Sequence, residues 1–527
     1  MNFKTTQTKL LLIVSIFFTI FFNISFFEKT LAVYPISGQS LLFLISLSLI
    51  LTSFINILLN LVRSKYTTKP ILIFILFLST LAAYVMDSFG TVLDDNMFLN
   101  VFSTDSSEAL DLLNFRLFLY LIFLWLVPSY IILKVQIKEL TFKKEVSSRL
   151  KTLLASLALI AILLVSFGKN YASFFRQHKP LRYYTNPTYY IYSIGKYISR
   201  FYINSTTHMS PLGRGATVER NGKTRKLVIF VVGETARRDR FSLNGYKKET
   251  NPHLARENVI SFTNMTSCGT STAVSVPCIF SNFGRNQFSN EKAASTENLL
   301  DILSHTKKVN ILWRDNNSDS KGVALRVPYE DFKYPSKNTI CDPECRDVGM
   351  LVGLQDYIDE KKEGDHFIVL HQMGNHGPAY YKRYPPAFEK FKPACKTNEL
   401  EQCTNEEIGN AYDNAILYTD YFLSRVINLL KENSNDFATS MLYVSDHGES
   451  LGENGVYLHS LPYFMAPDEQ KDIAAVLWFG GDHAKKTNYE LLKKKGDVPY
   501  SHDNVFHTFL GLMEIKTPEY KKELSIL

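Results

Sequence analysis

Five long apolar runs, separated by polar segments, dominate the first third of the chain. The runs cover residues 10–27, 41–62, 71–86, 117–133 and 153–167. A helix needs roughly 20 apolar residues to cross a hydrocarbon core of about 30 Å, and each run approaches that length. A signal peptide would account for one run but not for five, and no small-residue cleavage site follows the first. The pattern therefore predicts five transmembrane helices.

Basic residues in the polar segments predict how these helices are oriented. Lys4 and Lys9 precede the first run, and Lys and Arg also fill the second and fourth segments, whereas residues 87–114 contain neither. Segments rich in Lys and Arg stay on the cytoplasmic side of a membrane. The N-terminus is therefore predicted to be cytoplasmic. Five spans then place everything after Gly168 on the opposite side.

From residue 226 onward the pattern changes to short apolar runs that alternate with helical stretches such as residues 405–433. The predicted strands are 226–234, 309–315, 366–374, 440–448 and 473–481. Short continuous apolar runs are typical of strands buried on both faces. Strand–helix alternation predicts an α/β fold with a doubly wound, mostly parallel sheet.

The chain of 527 residues exceeds one ordinary domain, and these patterns divide it into three parts. We predict a transmembrane domain at 1–168, an interfacial connector at 169–225 and a catalytic domain at 226–527. Residues 178–202 of the connector are dense in Tyr, Lys and Arg, which favours a position in the headgroup layer. A linker packed on the soluble domain is the alternative.

The cysteines support an oxidising location for the C-terminal part. All six lie after the last apolar run, and an even number in that part of the chain favours disulfides. A zinc cluster is the alternative, but no pair of C-x-x-C motifs is present. The six residues are Cys268, Cys278, Cys341, Cys345, Cys395 and Cys403.

Polar side chains follow four of the predicted strands. Glu234, Asp446 and His447 come where two apolar runs stop, and residues 314–317 and His371 come at the ends of two others. In open α/β sheets the functional site lies outside the carboxyl ends of the strands. Two carboxylates and an imidazole suit Zn²⁺, and Mn²⁺ less well, with a fourth position left for a nucleophile.

The candidate nucleophile lies in a hydroxyl-rich segment, residues 267–282, in which Cys268 and Cys278 frame several Ser and Thr residues. A metal ion lowers the pKa of a hydroxyl bound to it, as it does for water. The segment alone leaves Thr270, Thr272 and Ser275 as candidates. A Ser/Thr-rich surface turn would show the same composition.

Several sequence blocks carry a resemblance to a known family. They are GETARRDRFSLNGY, SCGTSTAVSVPC, WRDNNSDSKG, ECRDVGMLVGL, HQMGNHGPAYYKRY and SDHGESLGENGVYLHS, in this order. The chain resembles the lipid A phosphoethanolamine transferases, which include the mobile colistin-resistance enzymes and lie within the alkaline phosphatase and sulfatase superfamily. The five-span region before these blocks is similar to the family's layout.

The resemblance implies roles for individual residues. It places the nucleophile at Thr272, with His376, His459 and Lys321 as further catalytic residues. Asn317 and His371 would contact the substrate phosphate, although a buried structural histidine is the alternative for His371. Some of these positions would hold a second metal ion in addition to one tightly bound Zn²⁺. The implied zinc ligands are Glu234, Thr272, Asp446 and His447.

The resemblance also implies a site for the ethanolamine group on the acidic third segment. Asn100, Thr104 and Glu108 are spaced i, i+4 and i+8, which places them on one face of a helix. A carboxylate with two hydrogen-bonding neighbours suits an ammonium group. One departure from the family is the tight loop between Cys341 and Cys345, which encloses three residues.

The implied function is transfer of phosphoethanolamine from phosphatidylethanolamine to a lipid A phosphate through a covalent phosphothreonine. The product would carry less negative charge and would give resistance to polymyxin and colistin. The implied location is the inner membrane of a Gram-negative cell, with a periplasmic catalytic domain. Neither a nucleic-acid partner nor an obligate protein partner is expected.

Three other function classes were weighed against this one. A sulfatase would need a C-x-P-x-R or S-x-P-x-R motif, and the sequence contains neither. A transporter or sensor would show charged residues within its spans, whereas the polar residues here are few, among them Asn23, Asn56 and Asn60. A membrane-anchored phosphoglycerol transferase or phosphodiesterase, acting on another envelope glycan, shares the metal chemistry and is the main alternative.

Overall fold

The structure is a computed structural model and describes residues 4–103, 111–199, 209–219, 224–342 and 344–527. Its contacts divide the chain into two units. The first comprises Met1–Phe98 and Leu113–Ile198, and the second comprises Leu99–Leu112 and Ser199–Leu527.

The first unit is built from apolar helices. Four helices are long and apolar enough to cross a membrane, and a bent pair would make a fifth span. The four are Gly38–Leu61, Thr68–Phe89, Phe115–Lys134 and Phe142–Ser166. The bent pair is Gln7–Phe21 and Ile24–Val33, and Gly168–Gln177 and Thr188–Ile198 follow the last span.

The first predicted span, residues 10–27, crosses a break that the apolar pattern does not show. The two helices meet at Asn23 with a bend of 57°. The Asn23 side chain donates to the carbonyl oxygens of Phe18 at 2.9 Å and Asn186 at 2.7 Å. A side-chain amide bonded to the backbone in this way competes with regular helix hydrogen bonding. The five-span prediction holds when the bent pair is counted as one span.

The second unit contains a seven-stranded sheet whose core strands are parallel. In chain order its strands are β1 Arg225–Gly233, β2 Ile260–Phe262, β3 Val309–Asp315, β4 Tyr329–Asp331, β5 Asp365–His371, β6 Phe437–Ser445 and β7 Ala475–Gly480. Across the sheet the order is β2-β7-β6-β1-β5-β3-β4. Strand β7 runs antiparallel to both β6 and β2, and the remaining neighbours are parallel. The predicted mostly parallel α/β sheet is confirmed.

Register aligns the carboxyl ends of the four central strands. Ser445 of β6 lies opposite Gly233 of β1, and His371 of β5 lies opposite both Val232 of β1 and Asp315 of β3. The residues that follow these strands are therefore delivered to one edge. All five strands predicted from the sequence are present, within a few residues at their ends. The short edge strands β2 and β4 were missed because three residues give no usable pattern.

Helices cover both faces of the sheet. Alternate residues of β1 enter opposite cores: Val228, Phe230 and Val232 pack on one side, and Leu227 and Ile229 on the other. The helices are Thr272–Ile279, Asn290–Ala294, Leu299–His305, Leu354–Glu360, Asn405–Glu432, Gly481–Lys486, Tyr489–Lys494 and Asp503–Leu512. A further helix, Asp95–Ser103, lies between the third and fourth predicted spans.

The predicted helix at 405–433 is confirmed as Asn405–Glu432. A capping box starts it, because the Thr404 hydroxyl accepts from the Glu407 backbone and the Glu407 carboxylate accepts from the Thr404 backbone. Short strand pairs complete the fold. They are Lys4–Thr5 with Gln136–Ile137, Thr217–Val218 with Ile515–Lys516, Met265–Thr266 with Tyr500–Ser501, Cys341–Asp342 with Glu344–Cys345, and Ser450–Leu451 with Tyr457–Leu458.

All six cysteines form disulfides, as predicted, and each pairs with its neighbour along the chain. The bonds join Cys268 to Cys278, Cys341 to Cys345 and Cys395 to Cys403.

We expect protein isolated from an oxidising compartment to resist thiol alkylation until it is reduced, because every cysteine is bonded. Mass spectrometry after maleimide treatment should show no adduct before reduction and six adducts after reduction under denaturing conditions. Two or more adducts on the unreduced protein would contradict the disulfide assignment.

Candidate active site and metal centre

Three buried ligand groups converge at the carboxyl edge of the sheet. Glu234 follows β1, and Asp446 and His447 follow β6, and none of the three is exposed to solvent. One ligand atom from each residue lies within 4.8 Å of the others. Burying two carboxylates this close together is costly unless a cation or protons neutralise them.

The Asn317 side chain and the local backbone conformation position Glu234. Its Oε2 accepts from the Asn317 amide at 2.7 Å, and that amide also donates to the Gln372 carbonyl at 2.9 Å. Thr235 has a φ of 51°, which is unusual for a residue other than glycine. Gly374 has a φ of 52°, and a Cβ there would lie 2.9 Å from the Glu234 carbonyl oxygen. Only a glycine at 374 allows this close approach.

Asp446 and His447 each turn one ligand atom towards the cluster. Asp446 Oδ1 accepts from the backbone N–H groups of Thr235 at 3.2 Å and His447 at 2.7 Å. Its Oδ2 has no hydrogen-bond partner among the described residues. His447 Nδ1 lies 2.9 Å from the Gly448 carbonyl, which makes it the donor and leaves Nε2 as the ligand atom. Burial lowers the pKa of His447, which favours the neutral imidazole that binds metals.

Thr272 adds a hydroxyl to this cluster. It is the first residue of helix Thr272–Ile279, and its Oγ1 lies 3.2 Å from Glu234 Oε2 and 3.4 Å from His447 Nε2. The other two hydroxyl candidates are bonded elsewhere. Thr270 Oγ1 donates to the Leu461 carbonyl at 2.6 Å, and Ser275 Oγ accepts from the Gly269 backbone at 3.1 Å.

The segment that carries Thr272 is tied to the end of β6. Cys268 is bonded to Cys278 inside the helix, and its backbone N–H donates to His502 Nδ1 at 3.0 Å. His502 Nε2 in turn lies 2.9 Å from the Ser445 carbonyl. Burial lowers the pKa of His502 to about 4, so this bridging imidazole stays neutral. These hydrogen bonds give His502 a structural role.

The four groups fit a tetrahedral metal ion. Ligands about 2.0–2.1 Å from a tetrahedral Zn²⁺ lie roughly 3.3–3.4 Å from one another. His447 Nε2 lies 3.4 Å from Glu234 Oε1 and 3.3 Å from Asp446 Oδ2. Thr272 Oγ1 lies 3.4 Å from the same His447 nitrogen, so the three separations measured from His447 Nε2 match edges of such a tetrahedron. The 3.2 Å contact of Thr272 with Glu234 is to the other carboxylate oxygen, Oε2.

A second histidine site borders the cluster. The rings of His447 and His459 lie 4.3 Å apart, and His376 lies 5.6 Å beyond His459. Glu449 holds His459, because its Oε2 lies 2.7 Å from His459 Nδ1 while its Oε1 accepts from the Tyr380 hydroxyl at 2.7 Å. Sequence reasoning did not include Glu449 among the site residues, although it lies two positions after His447.

A buried arginine is hydrogen-bonded to the backbone of His376. The Arg383 guanidinium donates to the His376 carbonyl at 2.6 Å and pairs with Glu344 and Asp111. Burial lowers the pKa of His376 well below its ordinary value, and the neighbouring His459 and Arg383 lower it further. Imidazole at this position is therefore neutral near pH 7.

His371 and Lys321 are less directly connected with the cluster. His371 is fully buried, and its Nδ1 lies 2.9 Å from Asp315 Oδ2, which also accepts from Trp313 Nε1 at 2.8 Å. This is the pairing expected of a structural histidine. Lys321 lies four residues after Asn317 in the chain, and its ammonium donates to the Ser318 carbonyl at 2.9 Å.

Several contacts join the described ends of the segment Leu99–Leu112 to the part of the second unit that carries the candidate site. Asn100 donates from its side chain to Ser460 Oγ at 2.6 Å, next to His459. Asp111 pairs with Arg383, which also holds the His376 backbone. Thr104 and Glu108, the other two residues of the predicted ethanolamine site, lie outside the described residues.

Comparison with known proteins identifies the family. Residues 226–515 match the sulfatase family, and residues 51–202 match the family described as phosphoethanolamine transferase EptA/EptB. Phosphatidylethanolamine transferase Mcr-1 of Escherichia coli is 43% identical over 98% of this chain and 96% of its own length. The chain belongs to the phosphoethanolamine transferase family. The resemblance seen in its sequence blocks is thereby confirmed.

Solved structures of family members show the same architecture. Lipooligosaccharide phosphoethanolamine transferase A (EptA) of Neisseria meningitidis, at 33% identity, superposes with a TM-score of 0.95 over 100% of this chain and 99% of that chain. The C-terminal periplasmic domain of phosphoethanolamine transferase EptC from Campylobacter jejuni is 41% identical, with a TM-score of 0.54. That match covers 60% of this chain and 97% of the EptC domain. The EptA match agrees with an apolar helical region joined to a sulfatase-like domain, and the EptC match agrees with the sulfatase-like domain.

Proposed function

We propose that this protein transfers phosphoethanolamine from phosphatidylethanolamine to a phosphate of lipid A, through a covalent intermediate on Thr272. The observation that carries the proposal is the position of Thr272 Oγ1, 3.2 Å from Glu234 and 3.4 Å from His447. A hydroxyl held against a carboxylate and an imidazole in a buried cluster is the arrangement that an activated nucleophile needs.

A single Zn²⁺ is the metal that best suits these residues, and Glu234, Asp446 and His447 would hold it with Thr272. When bound, the ion would lower the pKa of a hydroxyl and stabilise negative charge that develops on phosphate oxygens. Asn317 holds the Glu234 carboxylate in place for this role. A second ion would have Glu449 and His459, together with His447, as its nearest ligand groups.

Two displacements at phosphorus complete the transfer. Thr272 Oγ1 attacks the phosphorus of the donor, the bond to the glycerol oxygen breaks, and diacylglycerol leaves with a proton. A phosphate oxygen of lipid A then attacks the phosphothreonine, and Thr272 is restored with its proton. Dividing one transfer into two steps lowers the barrier of each.

The neighbouring side chains supply protons and positive charge. The His459 ring lies 4.3 Å from that of His447 and 5.6 Å from that of His376, which suits the transfer of a proton to the leaving oxygen and later back to Thr272. Lys321 would balance charge on the phosphate oxygens. Of the other two predicted phosphate contacts, Asn317 would act by holding Glu234, and His371 would have a structural role because it is buried and bonded to Asp315.

The ethanolamine group would bind to the segment Leu99–Leu112, with the ammonium on Glu108 and hydrogen bonds to Asn100 and Thr104. The two ends of this segment support the assignment. Asn100 is bonded beside His459, and Asp111 is paired with the arginine that holds His376. Asn100 and Asp111 therefore both lie close to residues of the candidate site.

Glu108→Ala should reduce transfer from phosphatidylethanolamine at least about tenfold while zinc content stays at the wild-type level, because a lost charge-assisted contact is worth about 1.5–3 kcal/mol. Transfer rate and metal content would be measured on the same preparation. Asp105→Ala removes the same charge from the same segment and serves as the control. Wild-type transfer by Glu108→Ala would assign the segment a purely connecting role.

The proposed location is the inner membrane of a Gram-negative cell, with a cytoplasmic N-terminus and a periplasmic catalytic domain. Basic residues before the first span and the absence of Lys and Arg from residues 87–114 support this orientation. The three disulfides support an oxidising compartment for the catalytic domain. Donor and acceptor are both lipids that such a protein would reach from its own membrane.

Mass spectrometry of lipid A from cells with and without the gene tests the proposal. Added phosphoethanolamine should appear only in cells that express the protein, and these cells should survive higher concentrations of polymyxin and colistin because their surface is less negative. Unmodified lipid A together with a phosphoglycerol group on another glycan would favour the alternative transferase. Diacylglycerol release without any acceptor product would indicate a phosphodiesterase.

A further inference from the structure

A pocket of about 300 Å³ adjoins the helix that begins with the candidate nucleophile. Ala273 and Pro277 line it from the helix that begins at Thr272, and Val323 and Leu325 line it from the loop that follows β3. Lys321 also lines the pocket and follows Asn317, the residue that holds Glu234, by four positions. The pocket is therefore adjacent to the place where the donor phosphate is proposed to react.

The lining mixes apolar and polar side chains, and three of its polar side chains are buried: Ser281, Asn290 and Asn298. Ser281 and Asn298 are hydrogen-bonded to the backbone. Asn290 lines the pocket with 7% of its surface exposed, and its side-chain oxygen has no hydrogen-bond partner among the described residues. Buried acceptors in proteins are almost always paired. A buried oxygen left unpaired in the lining of a pocket calls for a ligand that brings a hydroxyl or N–H group.

The size and the rim of the pocket narrow the ligand further. Pockets for small molecules span about 300–1,000 Å³, so this one takes a group of sugar or glycerol size and no complete diacyl lipid. Leu325 at the rim is 77% exposed, which offers an apolar contact to a chain that continues out of the pocket. The ligand is thus a small hydroxyl-bearing group attached to apolar chains.

We propose that this pocket binds the alcohol portion of the reacting lipid, meaning the hydroxyl-bearing group on the side of the phosphate opposite the ethanolamine. Two substrates of the proposed reaction present this chemistry: the glycerol of the donor and the acylated sugar of the acceptor. The inference rests on the proposed function and adds a specificity site to it. Asn290 recognises the group by accepting a hydrogen bond, and Leu325 contacts its chain.

The test uses the full-length protein and two pocket variants. Ala294→Trp fills the pocket from an exposed position, and Asn290→Ala removes the acceptor oxygen. Lys292→Trp adds the same bulk to the same short helix at an exposed position that does not line the pocket. A small phosphodiester, 2-aminoethyl 4-nitrophenyl phosphate, reports on Thr272 without needing the pocket.

We expect both pocket variants to raise KM for a lipid substrate roughly tenfold or more, as misfit in a specificity pocket does, while nitrophenol release stays at the wild-type rate. A higher KM for phosphatidylethanolamine, measured as diacylglycerol release without acceptor, assigns the pocket to the glycerol. A higher KM for lipid A alone assigns it to the sugar.

Wild-type KM values for both lipids in both variants would overturn the inference. An equal effect of Lys292→Trp, or a parallel loss of nitrophenol release, would overturn it as well, because the change would then act on the fold or on Thr272. If the wild-type protein releases neither nitrophenol nor diacylglycerol, the proposed function itself fails, and the pocket assignment falls with it.

Discussion

Thr272→Ala should abolish phosphoethanolamine transfer, with a loss of at least about a thousandfold, since removing a catalytic nucleophile costs up to about 10⁶ in rate. Its Oγ1 is the hydroxyl that contacts both Glu234 and His447 in the described part of the site. The variant should fold, because the substitution deletes a small polar group and leaves the helix start and both flanking cysteines unchanged. Transfer and covalent labelling of the protein by a radiolabelled donor are the two measurements.

Thr270→Ala is the matched control for this variant. It removes the same atoms two residues earlier, where the hydroxyl donates to the Leu461 carbonyl and does not contact the cluster. We expect Thr270→Ala to retain labelling and to lose only a small part of the transfer rate. Donor-derived label on Thr272→Ala, or lipid A modified at the wild-type rate, would contradict the assignment of Thr272.

Much of this site could be predicted because parallel strands bring distant residues to one edge. Glu234 and Asp446 are 212 positions apart in sequence, yet each follows a strand of unmistakable apolar pattern, and β1 pairs directly with β6. The rule that sites lie at the carboxyl ends of such strands then supplies their proximity without any tertiary information. The hydroxyl could not be chosen in this way, because Thr270, Thr272 and Ser275 share one segment and differ only in where their side chains point.

The parts that sequence reasoning missed depend on single contacts rather than on repeated patterns. The Glu449 carboxylate lies between His459 and Tyr380 in the fold, and the sequence does not show that these three residues meet. Arg383 is one of many arginines in the chain, and its ion pair with Asp111 joins segments 272 positions apart in sequence. Neither kind of contact has a periodicity that a linear pattern can report.

Glu234→Gln and Asp446→Asn should each lower bound zinc severalfold and reduce transfer at least about tenfold, since each removes a charged ligand from a site that requires deprotonated ligands. Both substitutions preserve side-chain shape. Any loss of stability would come from weaker hydrogen bonds, from Asn317 to residue 234 and from the Thr235 backbone to residue 446. Metal content by mass spectrometry and transfer rate would be measured on the same preparations.

Thermal unfolding separates loss of metal from loss of fold in these two variants. If zinc binds as proposed, it should stabilise the wild-type protein by about 2.7 kcal/mol when free zinc is a hundredfold above the dissociation constant, so the Tm should rise on zinc addition. Both variants should lose most of this rise. Without metal, however, they should unfold no earlier than the wild type, because each removes one of two buried carboxylates that repel each other. Asp468→Asn, whose side chain is 81% exposed, should keep the full zinc-induced rise. Wild-type zinc content in both ligand variants would show that the metal is held by a different set of residues.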